Sequence, residues 1–169
     1  MIQLLEVDQV SDIDLMNLKQ EFLKNKEIIH GCNGLTNFKE INQWRKYVQR
    51  LEYNPPKSQV KTKQFIISDN SRYPLGVIDF RFKLNDYLQK EGGHIGYSVR
   101  KNARGLGISK QALELLLEWI KKENILSEVL LTCQENNSFS KNTILACGGR
   151  LERVIVVNNK FVEHYKIKI

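Results

Sequence analysis

Proline is scarce in this chain, three residues in 169, and two of them stand side by side at Pro55 and Pro56. Most of the length is therefore free to run as unbroken helix or strand. Only the polar stretch Asn54 to Lys63, NPPKSQVKTK, resembles a linker, and it is too short to divide domains. Cysteine is equally sparse. Cys32, Cys133 and Cys147 make an odd count with no CxxC and no metal-ligand spacing, which excludes a disulfide framework and a zinc site and predicts free thiols in a reducing compartment. No apolar run approaches the length of a membrane span, and Asp8, Asp12 and Asp14 argue against a secretory leader, so the expectation is a cytoplasmic protein with no membrane partner. Internal repeats and low-complexity tracts are missing, as are GxGxxG and the GK[ST] of a P-loop.

What remains is an ordinary globular composition, 41% hydrophobic and 27% charged, over a length that suits one domain with a sizeable core. The net charge is +7 and the sequence pI about 9.3, yet 26 basic residues are scattered among 19 acidic ones. Without a basic helix or an aromatic-interleaved basic stripe, no nucleic-acid partner is predicted.

The informative stretch is His94 to Lys122. It runs from a strand rich in β-branched and aromatic residues, His94 to Arg100, through the loop RGLGIS into a long amphipathic helix. Ala112, Leu113, Leu116, Leu117 and Ile120 form one stripe at helical spacing, with Lys110, Glu114, Glu118 and Lys121 largely opposite. Two glycines at the start of a helix let successive backbone N–H groups converge on an anion. A phosphate cradle fed by a strand is the working expectation.

Around it the chain punctuates itself. Met1 to Val7 predicts an edge strand, followed by a helix capped by Ser11 or Asp12 with Ile13, Leu15, Met16, Leu18 and Phe22 as its apolar stripe. His30 to Asn37, HGCNGLTN, is a loop and a candidate for mobility; a second helix is expected from about Phe38 to Leu51. Gln64 to Ser68 and Leu75 to Lys83 predict paired antiparallel strands, the second with Asp79 and Arg81 on one face and Ile78, Phe80 and Phe82 on the other. Two readings of that charged pair stay open: a mutual salt bridge, or a pair facing substrate. One helical turn at NDYL and the pair Gly92-Gly93 precede the central strand, where Gly96 marks a bulge or a close backbone approach. After it come a strand at Glu128 to Cys133, a helix with Asn137 as N-cap and Gly148 at its end, and a hairpin turning at Asn158-Asn159.

The segment Arg104, Gly105, Leu106, Gly107, Ile108, Ser109 resembles the acyl-CoA signature [Q/R]-x-x-G-x-[G/A] of the GCN5-related N-acetyltransferases (GNAT), with serine in place of the last small residue. GGHIGYSVR before it, LTCQENNSFSKNTILACGG after it and IDFRFKLNDYLQKEGG upstream are similar to one bacterial branch of that superfamily, loosely at the N-terminus and closely from about Gly76 to Leu151. The resemblance implies a single α/β (α+β) domain with a mixed, mostly antiparallel twisted sheet, helices on both faces and splayed central strands. It also implies N-acetylation of a primary amine, on a small molecule or a protein, by a monomer or homodimer with acetyl-CoA as co-substrate and no metal. Coenzyme A is a polyanion, which accounts for part of the positive charge. A catalytically weak CoA-binding regulator is the alternative.

Carried over residue by residue, the resemblance assigns the pyrophosphate to the N–H groups of Arg104 to Ser109 and the pantetheine arm to main-chain groups of Tyr97, Ser98 and Val99, with Asn137 and Ser140 on the neighbouring helix. Many relatives hold a tyrosine in that helix to protonate the leaving thiolate. Ile144 stands there in this chain, which leaves water, Ser140 or another tyrosine such as Tyr97 for the task, or no dedicated acid at all. Asp79 and Arg81 are the acceptor-side candidates. For the base, His94 is preferred, because it sits on the central strand and titrates near neutrality; a structural histidine is the competing reading. His30, in a loop, and His164, on a strand face with Lys166 and Lys168 that suggests solvent, are weaker.

Overall fold

Seven strands and five α-helices build the chain in a computed structural model that describes residues 1–169. Strands β1 (Ile2–Glu6), β2 (Thr62–Asp69), β3 (Pro74–Arg81) and β4 (Ile95–Val99) lie in that spatial order in one sheet. A second sheet has the order β5 (Glu128–Gln134), β7 (Lys160–Lys168), β6 (Arg150–Val157). Every ladder is antiparallel, so the expected mixed sheet is two antiparallel sheets set edge to edge. Between β4 and β5 one backbone bond closes the seam, His94 N–H to Leu130 O at 2.7 Å, and beyond it the strands part. That splay is the origin of the cleft.

Helices cover both faces because β2 and β3 are apolar on both. Phe65, Ile67, Ile78 and Phe80 pack with Ala112, Leu113, Leu116 and Ile120 of α4 (Ile108–Lys122) and Ile144 of α5 (Ser138–Ala146). Ile66 and Val77 point the other way, into Leu15, Leu18 and Phe22 of α1 (Asp12–Lys24) and Ile41, Trp44 and Val48 of α2 (Ile41–Tyr53). Strands buried on both sides lose the polar alternation of a half-exposed strand. Each fully buried Leu or Ile contributes about 1.5–3 kcal/mol of transfer free energy, which makes the α4 stripe the anchor that holds the cradle loop in place.

Ends follow local chemistry. Ser11 caps α1, accepting Asp14 N–H at 3.1 Å, and Asn137 caps α5, accepting Ser140 N–H at 3.1 Å. Helix α2 begins at Ile41 rather than Phe38, because Leu35–Asn37 form a tight turn of 3-10 helix and Phe38 and Glu40 are extended. Asn158 and Asn159 both take positive φ, 50° and 61°, as a two-residue hairpin turn requires. His164 departs from expectation: it is fully buried, with Nε2 2.9 Å from Lys90 O, because β7 is the central strand of its sheet and the end of α3 (Asp86–Lys90) covers it.

Candidate functional site

The cradle begins where β4 ends. After Val99 a 3-10 turn, Lys101–Ala103, redirects the chain, and Gly105 and Gly107 both take φ +75°. A side chain there would be strained, and one built on Gly105 would meet nothing within 4 Å, so the glycines enclose open space at the N-terminus of α4. The first N–H groups of a fifteen-residue helix point into that space with the positive end of its dipole, and no side chain caps them. Arg104 is held at its rim by Nε to Val99 O at 2.9 Å and by a salt bridge to Glu27. An anionic phosphate finds donors here without displacing a protein partner.

From the cradle a cleft of about 740 Å³ follows β4 into the splay. Tyr97, Ser98, Val99, Arg104, Gly105, Gly107, Ile108, Ser109, Asn137 and Ser140 line it, so ten of the eleven residues expected to hold a cofactor share one cavity; Leu106 points away and is exposed. Since β4 pairs with β3 on one side and with no strand along the other, its outer polar edge is open to an extended ligand such as a pantetheine arm. Asn137 lends its carboxamide to its own helix cap. No three His, Cys, Asp or Glu side chains gather as a metal would need, and no helix is long and apolar enough to cross a membrane.

Two hydroxyls meet in the cleft. Tyr97 Oη lies 3.1 Å from Ser140 Oγ, bridging the gap between β4 and α5. Burial pushes the Tyr97 phenol up to about 12, so it is a hydrogen-bond donor at neutral pH. Ile144 is buried in the core and offers the cleft nothing.

The acceptor side differs from expectation in two respects. His94 does not line the cleft. It precedes β4, after Gly92 and Gly93 have turned the backbone through φ +101° and +60°, and its ring lies nearly parallel to that of Phe80 on the far side, facing Glu128, Leu130 and Arg153. Its Nδ1 accepts Leu130 N–H at 2.9 Å, a bond that protonation there would break. Burial, then the nearby Arg81 guanidinium, lowers its pKa. His94 thus fastens the seam between the sheets and, contrary to the expected position of a base, does not line the cleft.

Asp79 and Arg81 do share a face, but as a mutual pair. Asp79 is 1% exposed, its Oδ1 3.1 Å from Arg81 and accepting Gly96 N–H at 3.0 Å. Burial raises its pKa against the opposing pull of Arg81. Arg81 reaches the cleft wall while donating to Gly92 O at 2.9 Å and Gly93 O at 3.2 Å. Only its guanidinium edge is left for an acceptor; Asp79 is sealed behind it.

Sequence reasoning undervalued the loop after α1. His30 and Gly31 line the cleft together with Glu91, Tyr87 and Thr132. His30 N–H donates to Ser98 Oγ at 2.7 Å, Gln64 Nε2 donates to Gly31 O at 2.9 Å, and Trp44 Nε1 donates to Cys32 O at 2.9 Å. Gly31 sits on Gly96 so closely that a Cβ on it would fall 2.1 Å from Gly96 O. The available signal was the pair of glycines in HGCNG, both left-handed here, at φ +70° and +72°.

A strand splayed from its neighbour, a glycine cradle at the following helix and an open polar strand edge define an acyltransferase fold. The chain belongs to the GNAT acetyltransferases: the family model described as an acetyltransferase (GNAT) domain matches residues 5–150. No curated protein sequence is similar enough to count as a relative. Among solved structures, the ribosomal L7/L12 alpha-N-protein acetyltransferase RimL in complex with coenzyme A is similar at 20% identity, with 99% of this chain and 94% of that one covered and a TM-score of 0.68. A ribosomal-protein-S5-alanine acetyltransferase from Vibrio fischeri is similar at 17% identity, over 99% and 91% of the two chains, with a TM-score of 0.68. Spermidine N-acetyltransferase SpeG from Vibrio cholerae, in a mutant form, is similar at 15% identity over 99% and 94%, with a TM-score of 0.66.

Proposed function

We propose that this protein transfers the acetyl group of acetyl-CoA to a single primary amine, of a peptide or protein N-terminus in preference to a polyamine. The observation that carries the reading is the continuity of one cleft from the glycine cradle, along the open edge of β4, to Arg81 and Glu91 at the acceptor end. Coenzyme A supplies the acyl thioester when bound; the loop at Gly105–Ser109 holds its pyrophosphate and β4 its arm. Solved relatives include enzymes named for protein N-termini and for spermidine. A polycation calls for several carboxylates around its second and third amines. The acceptor end of this cleft is lined by Glu91 and Arg81, while Glu27 is engaged by Arg104. One cation and one carboxylate suit an amine that carries a carbonyl nearby, as a peptide terminus does. The three free cysteines fit action in a reducing cytoplasm.

The leaving thiolate needs a partner, and this reading assigns that role to Tyr97 with Ser140, whose hydroxyls meet in the cleft. Full proton transfer from a phenol at about 12 to a thiolate near 8.5 would be uphill by about 5 kcal/mol, so these hydroxyls stabilise the thiolate by hydrogen bonding rather than by yielding a proton. Tyr97→Phe is expected to lower kcat about tenfold to a hundredfold with acetyl-CoA affinity kept, and Ser140→Ala to act in the same direction. Steady-state kinetics beside direct binding measures both; kcat unchanged in the two variants assigns the thiolate to solvent.

Release of free thiol from acetyl-CoA, followed across N-terminally free peptides, amino acids, aminoglycosides and spermidine, tests the function itself. Peptides should turn over with higher kcat/KM than spermidine. Tight CoA binding with no turnover of any amine would make the protein a CoA-binding regulator instead.

A further inference from the structure

We infer that His30 is the proton acceptor for the incoming amine, a role that rests on the acetyl-transfer reading above. The case is first one of construction. The segment from Ile29 to Gly34 is short and left-handed at three positions, Gly31, Asn33 and Gly34, the composition of a loose loop, yet it is fastened by bonds from three separate elements. Trp44 of α2 takes Cys32 O, Gln64 of β2 takes Gly31 O, and Ser98 of β4 receives His30 N–H. Asn33 adds a fourth tie, donating to Gln64 Oε1 at 2.8 Å. Gly31 is wedged on Gly96, the residue of β4 beside which a thioester must lie if the arm runs along Tyr97 to Val99. Asn33 holds φ +47° without being glycine, a conformation that persists where the surroundings over-determine it, and here they fix the position of one side chain. Every tie uses main-chain atoms or neighbouring residues; the His30 imidazole itself makes no bond to the protein and opens into the cleft.

Its electrical surroundings suit a neutral base. From β3 the Arg81 guanidinium acts on it, with the Asp79 carboxylate sealed behind Gly96 and paired to Arg81. The segment around the end of α3 adds the Glu91 carboxylate and the Tyr87 phenol to the same cleft, β4 adds Tyr97, and the chain before His30 adds Glu27, held by Arg104. Partial burial and then Arg81 lower the His30 pKa below its ordinary value. A lowered value leaves the ring neutral, and able to accept, at pH 7 and loses that capacity only as pH falls through the lowered pKa.

The chemistry balances without a further reactant. An ammonium acceptor gives one proton to a ring nitrogen of His30, and the freed amine attacks the thioester carbon. The C–N bond forms as the C–S bond breaks, and the amine's second proton ends on the CoA sulfur, near Tyr97 and Ser140. His30 returns its proton to water, so the net products are the amide, CoA thiol and one proton.

The test uses the whole chain with an N-terminally free alanine peptide as acceptor and acetyl-CoA as donor. His30→Gln and His30→Ala should retain the wild-type melting temperature and acetyl-CoA affinity, since the loop is held by bonds that the imidazole does not make. Their kcat at pH 7 should fall about a hundredfold, within the span of general-base effects. In the wild type, kcat should decline on an acidic limb below pH 6.5 that both variants lack; the gap should narrow as pH approaches the amine's own pKa. Added imidazole should restore part of the His30→Ala rate and none of the wild-type's. A variant that keeps the limb and most of the rate, or a His30→Ala enzyme indifferent to imidazole, overturns the assignment. Failure of the wild type to acetylate any amine is a different result: it removes the acetyl-transfer reading and the base role with it, whereas a normal wild type beside normal variants removes the base role alone.

Discussion

Gly107→Val should reduce acetyl-CoA affinity at least tenfold while the protein stays folded. Gly107 takes φ +75° at the entry to α4, a conformation that costs a side-chain-bearing residue about 1–2 kcal/mol and a β-branched one more. Against a typical domain stability of about 5–15 kcal/mol that is tolerable, and a Cβ at this position would meet no atom closer than Gln111 Nε2 at 3.9 Å. The side chain would instead stand in the cradle, among the N–H groups that receive the pyrophosphate. Backbone strain and blocked access are separable, because Gly148 supplies a control. It has φ +85°, a Cβ there would meet nothing within 4 Å, and it does not line the cleft. Gly148→Val should therefore lose comparable stability and keep full affinity. Calorimetric titration of acetyl-CoA into both variants decides the matter, and equal affinities would mean that the loop binds no phosphate. Ser109→Ala should change little, since the hydroxyl makes no helix cap.

That cradle was legible in the sequence because everything that makes it is local. Two glycines at a helix start and a stripe at 3.6-residue spacing need no knowledge of what lies across the fold. The same holds for Ser11 and Asn137 as caps and for the Asn158-Asn159 turn. Orientation across the fold was not legible. Counting alternate residues puts His94 on the face of Gly96 and Ser98, but Gly92 and Gly93 turn the chain before β4 begins, so the parity of the strand does not extend to it. The lysine neighbours of His164 suggest solvent; its burial follows from the order β5-β7-β6, a long-range fact. Alternation correctly paired Asp79 with Arg81, yet their burial depends on a loop fifty residues earlier that covers Gly96.

The loop after α1 is the instructive case. Composition marks HGCNG as flexible, since glycine and asparagine are what mobile loops contain. They are also what a rigid loop contains when it must take positive φ, and sequence alone does not separate the two. The difference lies in partners supplied from elsewhere: an indole N–H, a buried carboxamide and a serine hydroxyl, each on a different element. Gln64 shows the principle most fully. It is 1% exposed, and its amide nitrogen donates to Gly31 O, Phe65 O and Ile78 O while its oxygen accepts from Asn33. A buried carboxamide that satisfied specifies one arrangement, because leaving any of those groups bare costs about 1–3 kcal/mol.

Gly31→Ala should show how tightly that loop is bound to the strand beneath it, with a loss of about 3 kcal/mol or more in stability. One added carbon would sit 2.1 Å from Gly96 O, 2.3 Å from Gly96 C and 2.7 Å from Tyr97 N, all backbone atoms that no rotamer change can move aside. Overpacking costs about 1–3 kcal/mol and left-handed φ adds about 1–2. The loop cannot simply lift, since Gln64 holds Gly31 itself and Trp44 and Ser98 hold Cys32 and His30 on either side of it. Gly34→Ala separates the two terms. Its φ of +72° matches the +70° of Gly31, but its Cβ would meet only side chains, Asn37 Nδ2 at 3.2 Å and Phe38 Cε2 at 4.0 Å, and that carboxamide can yield. Gly34→Ala should therefore cost about 1–2 kcal/mol, from the backbone alone. Urea unfolding of the two variants at unchanged m-value measures the difference. Activity should follow the same division: in Gly31→Ala the strand is disturbed at Gly96 and Tyr97, so acceptor turnover should fall further than acetyl-CoA affinity, whose cradle lies beyond Val99. Equal stabilities for the two variants would mean that the loop rides on β4 without being locked to it, and the placement of His30 would then have to come from the ligand.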